Sequence, residues 1–131
     1  MPPTLHVLIV DDHPEVRVVL ANVVAQLYPA AAIAEAVDGA EALSAITQHR
    51  PDLIMTDYQM PGMNGLELVR TLRAQGAAMP ILALSSETSI AAAIRAAGAT
   101  AFLAKPFRVR ELRETLRALL PTSAEMQTAG E

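Results

Sequence analysis

The chain has no cysteine and no tryptophan, and only two phenylalanines, two tyrosines and one lysine among its 131 residues. Without cysteine there is no disulfide, no thiolate nucleophile and no Cys-based zinc site, which is compatible with a reducing compartment without demonstrating one. Scarce aromatics leave little to stack on bases, and a formal net charge of −4 offers no basic surface to a phosphate backbone. Direct nucleic acid binding by this chain is therefore not expected. Although 52% of residues are hydrophobic, no uncharged apolar run reaches the ~18 residues of a membrane span. The start, Met1-Pro2-Pro3-Thr4-Leu5-His6, lacks the basic residues and apolar stretch of a signal peptide. The expectation is one soluble domain in the cytoplasm, with no membrane partner. No P-loop or dinucleotide fingerprint is present.

What is there is an alternation. Strand-length apolar runs at Leu5–Val10, Ala32–Ala36 (the weakest), Leu53–Thr56, Ile81–Leu84 and Ala101–Ala104 are each followed by a longer amphipathic segment. Those segments are Glu15–Leu27, Ala40–Gln48, Gly65–Ala74, Ser89–Ala97 and Arg108–Leu120. Five strands alternating with five helices predict a doubly wound parallel sheet, because right-handed crossovers put helices on both faces and bury the strands. Pro14 suits a first helical position, Asp38 with Glu41 reads as a capping box, and Gly76 and Gly98 suit helix ends. From Pro121 the periodicity is lost, and residues 121–131 read as a flexible tail or the start of a linker.

In such a sheet, ligands bind beyond the carboxyl ends of the strands, where strand order switches. There lie Asp11 and Asp12 after the first strand, Asp57 after the third, Ser85 after the fourth and Lys105 after the fifth. In the order 2-1-3-4-5, Asp57 is central, between the acidic pair and Ser85 with Lys105. Carboxylates gathered in one cleft repel by about 4 kcal/mol per pair at 4 Å and an effective dielectric of ~20, so a cation or a shifted protonation state is needed. A hard divalent ion with oxygen ligands, Mg²⁺ being the expectation, meets that need. Lysine and a hydroxyl would face a phosphoryl group, with Asp57 placed to be the nucleophile. Lys105 is the sole lysine beside nine arginines, which suits a compact point charge.

These residues, read in VDDHP, DYQMPGMNG, PILALSS and AKPF with Phe102 before it, resemble a response-regulator receiver domain of two-component signalling. The resemblance covers roughly residues 5–120 and implies the flavodoxin-like order 2-1-3-4-5. It implies that Asp57 accepts a phosphoryl group from a histidine kinase or phosphotransfer protein. Asp12 and Asp57 would ligate Mg²⁺, with Asp11 acting partly through water and the Gln59 backbone carbonyl as a further ligand. Lys105, ahead of a cis Pro106, would pair with the phosphoryl oxygens. Ser85 and Phe102 would be the switch, and Gln59 and Glu87 would tune hydrolysis. One hydrogen bond to a charged group contributes roughly 1.5–3 kcal/mol, whereas moving a population from 1:99 to 99:1 takes about 5.5 kcal/mol. Ser85 alone is too weak, so Ser85, Lys105 and Phe102 are expected to act together. The protein is expected to be a signalling switch and not an enzyme, with an output partner or output domain that the sequence does not name.

Plainer readings exist for each residue. Asp11 or Asp12 could cap the first helix, Asp57 could be a turn residue, and Phe102 core. His13 reads as a loop residue, His6 and His49 as structural or exposed, and Met60 and Met63 as packing. Two other functions use similar parts. A haloacid dehalogenase-like phosphatase also forms an aspartyl phosphate but places a second Asp two positions after the nucleophile, where this chain has Gln59 after Asp57 and His13 after Asp11. A flavodoxin-like cofactor carrier needs a hydroxyl- and Gly-rich loop where this chain has DDHPE. Receivers of the winged-helix group typically carry Asp-Asp-Tyr where Thr100, Ala101 and Phe102 stand, so those acidic dimer contacts are missing. The expectation leans to a stand-alone receiver over one cut from a longer regulator.

Overall fold

The computed structural model describes residues 4–121; the expected tail or linker, apart from Pro121, lies outside the described residues. Strands and helices alternate as β1 (His6–Val10), α1 (Pro14–Leu27), β2 (Ala32–Ala36), α2 (Gly39–Gln48), β3 (Leu53–Asp57), α3 (Gly65–Ala74), β4 (Ile81–Ser85), α4 (Ala91–Ala97), β5 (Ala101–Ala104) and α5 (Val109–Leu119). The sheet order is β2-β1-β3-β4-β5, every pair parallel, as the alternation predicts.

Successive strand residues point to opposite faces, and this divides the core in two. Leu8, Val10, Ile54, Ile81 and Ala83 pack with Leu68, Val69 and Leu72 of α3 and Ile94 of α4. Val7, Ile9, Leu53, Met55, Leu82 and Leu84 pack with Leu20, Val23 and Val24 of α1 and Leu112 and Leu116 of α5. Burial on both faces is why the strands read as continuous apolar runs. Each fully buried Leu or Ile contributes roughly 1.5–3 kcal/mol, so these layers, more than helix propensity, hold the helices down. β2 is an edge strand with most of its residues partly or fully exposed, which accounts for its weak signal. Among the described residues no helix is long and apolar enough to cross a membrane.

Element boundaries differ from expectation in informative ways. β3 and β4 each run one residue further, so Asp57 and Ser85 are the last residues of their strands. The Ala-rich helix starts at Ala91, after a 3-10 turn at Thr88–Ile90, because Thr and Ser side chains compete for nearby backbone groups and favour turns over helix interiors. Asp38 caps α2 by accepting the Glu41 N–H at 2.8 Å, but Glu41 accepts from the Val37 N–H at 3.2 Å and not from that of Asp38. The reciprocal box expected there is formed instead at α3, where Asn64 accepts from Glu67 N–H at 2.9 Å and Glu67 from Asn64 N–H at 3.2 Å. Gly76 and Gly98 end α3 and α4 with φ of 84° and 124°, values that glycine adopts without penalty.

Candidate functional site

Three strand ends converge at the carboxyl edge of the sheet. The Asp11 N–H donates to the Ala36 carbonyl at 3.0 Å, prolonging β1–β2 pairing by one residue and holding Asp11 fully buried. Asp57 closes β3 at 5% exposure. Beyond it, the Tyr58 N–H points to the Leu84 carbonyl at 3.0 Å, and the Tyr58 carbonyl accepts from Gly65 N–H at 2.8 Å. A Cβ at Gly65 would lie 2.5 Å from the Asp57 carbonyl oxygen, so glycine here lets α3 start directly against the end of β3. Lys105 follows β5, with its N–H on the Ser85 carbonyl at 2.9 Å, and the Lys105–Pro106 peptide is cis, as expected.

From the far side of the sheet Lys105 reaches across the cleft. Its Nζ lies 3.1 Å from Asp11 Oδ2 and 3.2 Å from Asp57 Oδ1, with a fifth of the side chain exposed. The ammonium is thus shared by two carboxylates on different strands. Asp57 also accepts from the Tyr58 N–H at 3.0 Å. Burial pushes its carboxyl above the usual aspartate range, Lys105 opposes that rise, and the Asp11 charge adds to it. Asp11, Asp12, His13 and Asp57 each offer a ligand atom, all within 4.8 Å of one another. Three carboxylates against one ammonium leave the cleft negative, and the oxygen-rich donor set fits a hard divalent cation.

The other expected residues fall around this centre. Ser85 is 1% exposed, and its Oγ accepts the Glu87 N–H at 2.9 Å. Gln59 and Glu87 are exposed and line one open cleft with Asp12, Tyr58 and Asn64. Phe102, opposite Ala83 in the sheet register, is half-buried against the α3–α4 side of the core. Neither aspartate caps α1: its N-cap is His13, which makes no side-chain cap.

Two more residues border this centre: His13, which the sequence suggests is a loop residue, and Arg17, which no motif singles out. His13 Nδ1 lies 3.2 Å from Asp11 Oδ1 and 3.0 Å from Asp12 Oδ1, and its N–H donates to Asp11 Oδ1 at 2.9 Å. The Asp11 hydrogen bond, then the Asp12 charge, raise the imidazole pKa above its ordinary value. The signal was its place directly after the acidic pair. Arg17 donates through Nε to Glu35 at 2.7 Å and through Nη1 to the Asp11 carbonyl at 2.7 Å. It fixes the peptide between the two aspartates; no local pattern could have shown this, since Glu35 is on β2.

Residues 7–117 match the family described as the response regulator receiver domain. The response regulator MprA of Mycolicibacterium vanbaalenii is 37% identical over 129 residues, covering 97% of this chain and 55% of that protein. MprA of Mycobacterium avium is 38% identical over 118 residues, covering 88% of this chain and 51% of that protein. The chain therefore spans about half the length of the curated relatives it matches. Among solved structures, the chemotaxis response regulator CheY4 of Vibrio cholerae superposes with a TM-score of 0.80 at 35% identity, over 90% of this chain and all of that one. The receiver domain of NarL from Mycobacterium tuberculosis gives 0.79 at 31% identity, over 89% of this chain and 96% of that one. None of these findings supports the haloacid dehalogenase reading.

Proposed function

Because the chain belongs to the response-regulator receiver family, we propose that Asp57 is its phosphoryl acceptor, charged from the phosphohistidine of a histidine kinase or phosphotransfer protein. The observation that carries this reading is the position of Lys105 Nζ, 3.1 Å from Asp11 Oδ2 and 3.2 Å from Asp57 Oδ1. A buried carboxylate nucleophile has a fixed cation beside it, where the charge of a transferring phosphoryl group would fall.

An Asp57 carboxylate oxygen forms the new O–P bond as the P–N bond of the phosphohistidine breaks and the imidazole departs with the electron pair. Lys105 follows the charge onto the phosphoryl oxygens. Asp12 and Asp57, with Asp11 partly through water and the Gln59 backbone carbonyl, would hold Mg²⁺, which when bound neutralises phosphoryl charge. Ser85, whose Oγ accepts from Glu87 N–H, keeps its own hydroxyl proton to offer the phosphoryl group. Ser85 turning inward and Phe102 repacking alter the surface over α4 and β5. Exposed Gln59 and Glu87 orient the water that later hydrolyses the aspartyl phosphate. The domain, residues 1–120, is in this reading a cytoplasmic switch acting on an output partner or output domain, with no separate substrate to turn over.

The test is incubation with Mg²⁺ and acetyl phosphate, comparing intact masses of wild type and Asp57→Asn. One Mg²⁺-dependent phosphoryl adduct on wild type and none on the variant is expected. An adduct of equal yield on Asp57→Asn would overturn the assignment.

A further inference from the structure

The Asp11 carboxylate is divided between two neighbours. Its Oδ2 faces Lys105 at 3.1 Å, while its Oδ1 faces His13 Nδ1 at 3.2 Å. Asp12 Oδ1 stands 3.0 Å from the same nitrogen. Lys105 thus takes one oxygen of Asp11, and the imidazole, shared with Asp12, faces the other.

The backbone explains why the ring is there. A residue before proline is held to extended conformations, and His13, ahead of Pro14, has φ −102° and ψ 113°. Its N–H is tied to Asp11 Oδ1 at 2.9 Å. The side chain is 55% exposed, so no core packing sets its direction; the two carboxylates do.

Adjacent ligands on an octahedral ion at 2.0–2.1 Å lie about 2.9 Å apart. The separations of His13 Nδ1 from the two Oδ1 atoms, 3.2 and 3.0 Å, are close to that edge, and Asp57 offers an oxygen within the same 4.8 Å group. Magnesium gains little from an imidazole, whereas first-row transition ions gain much, in the Irving–Williams order. We propose that His13 is an additional, nitrogen ligand of this acidic site, through which it takes nickel-, cobalt- or zinc-like divalent ions in preference to, and in competition with, Mg²⁺. This rests on the Mg²⁺ site proposed above. Occupancy by such an ion would make the response of the domain depend on transition-metal supply.

The test is calorimetric titration of untagged, metal-free protein with MgCl₂ and with NiCl₂ at pH 8, for wild type and His13→Asn. Both proteins carry His49→Ala, because the His6 and His49 rings lie with centroids 3.7 Å apart, tilted by 48°, and offer imidazoles of their own. The ratio of Ni²⁺ to Mg²⁺ affinity should fall about tenfold or more in His13→Asn, as for loss of a metal-supporting contact. Co²⁺ should shift the His13 ring resonances paramagnetically in wild type, a readout independent of affinity. An unchanged ratio, or His13 signals untouched by Co²⁺, would make the imidazole an ion-pair partner only and overturn the inference. No Mg²⁺ binding by the His13-containing protein would instead overturn the site reading on which it rests.

Discussion

Neutralising Asp57 should stabilise the metal-free fold. In Asp57→Asn the side chain keeps its shape but loses its charge, at a position 5% exposed. Asp57 and Asp11 oxygens lie within 4.8 Å, which at an effective dielectric of ~20 is a repulsion of about 3.5 kcal/mol. Dehydrating the carboxylate costs several kcal/mol more, even after relaxation. Against these stands Lys105 at 3.2 Å, an attraction of about 5 kcal/mol on the same scale, from an ammonium that Asp11 shares. The raised pKa of Asp57, with burial as its first cause, carries the same sign: the ionised form is disfavoured. The balance is a gain of roughly 1–3 kcal/mol for the variant, or a Tm higher by about 4–12 °C at this chain length. Scanning calorimetry in chelator at pH 7.5 measures it directly. A carboxyl whose folded pKa is raised contributes stability below its unfolded pKa and loses it as pH rises through the folded value. The advantage of Asn should therefore be full at neutral pH and shrink as acid protonates Asp57 in the wild type. Mg²⁺ should narrow the gap as well, since a ligand at a hundred times its Kd adds about 2.7 kcal/mol to the form that binds it. A metal-free Asp57→Asn that melts at or below wild type at pH 7.5 would refute this reasoning.

In Gly65→Ala the new methyl would meet the Asp57 carbonyl oxygen at 2.5 Å and Tyr58 Cα at 2.9 Å; overpacking should cost ~1–3 kcal/mol in urea unfolding and slow Asp57 phosphorylation. Arg17→Ala leaves the Asp11 carbonyl and Glu35 without their 2.7 Å donors, so Mg²⁺ titration should show weaker binding, with partial recovery in Arg17→Lys. In Tyr28→Phe the hydroxyl bonds from α1 to the Leu116 and Leu120 carbonyls, 3.2 and 2.5 Å long, are lost; a stability loss of about 1–2 kcal/mol should come with faster amide exchange at the end of α5. For Ser85→Ala, NMR of the phosphorylated protein should show an incomplete shift between the inactive and active populations, and a shift as complete as in wild type would remove Ser85 from the switch.

Much of the site was legible because its residues are anchored to features that sequence displays. Asp11, Asp57, Ser85 and Lys105 each end an apolar run, and a run buried on both faces announces itself without knowledge of its neighbours. Asn64 and Glu67 show the limit of that reading: the same spacing of residue types stands there as at Asp38 and Glu41, yet both halves of the box close at α3 and one half at α2. Which carboxylate oxygen meets which N–H depends on how the chain enters the helix, and residue types do not specify that angle.

By itself, the sequence determined the alternation of strands and helices, the parallel sheet, and the row of carboxylates, hydroxyl and ammonium along one edge, since these follow from periodicity and chain direction. Tertiary structure decided who touches whom there. Lys105 reaches past Asp57 to Asp11, 94 positions away in sequence; Arg17 ties Glu35 on the edge strand to the acidic loop; and His13 turns toward two carboxylates. Such contacts form over a few ångströms between side chains from separate elements, and they exist only once strand order, register and the pitch of each turn have brought those elements together.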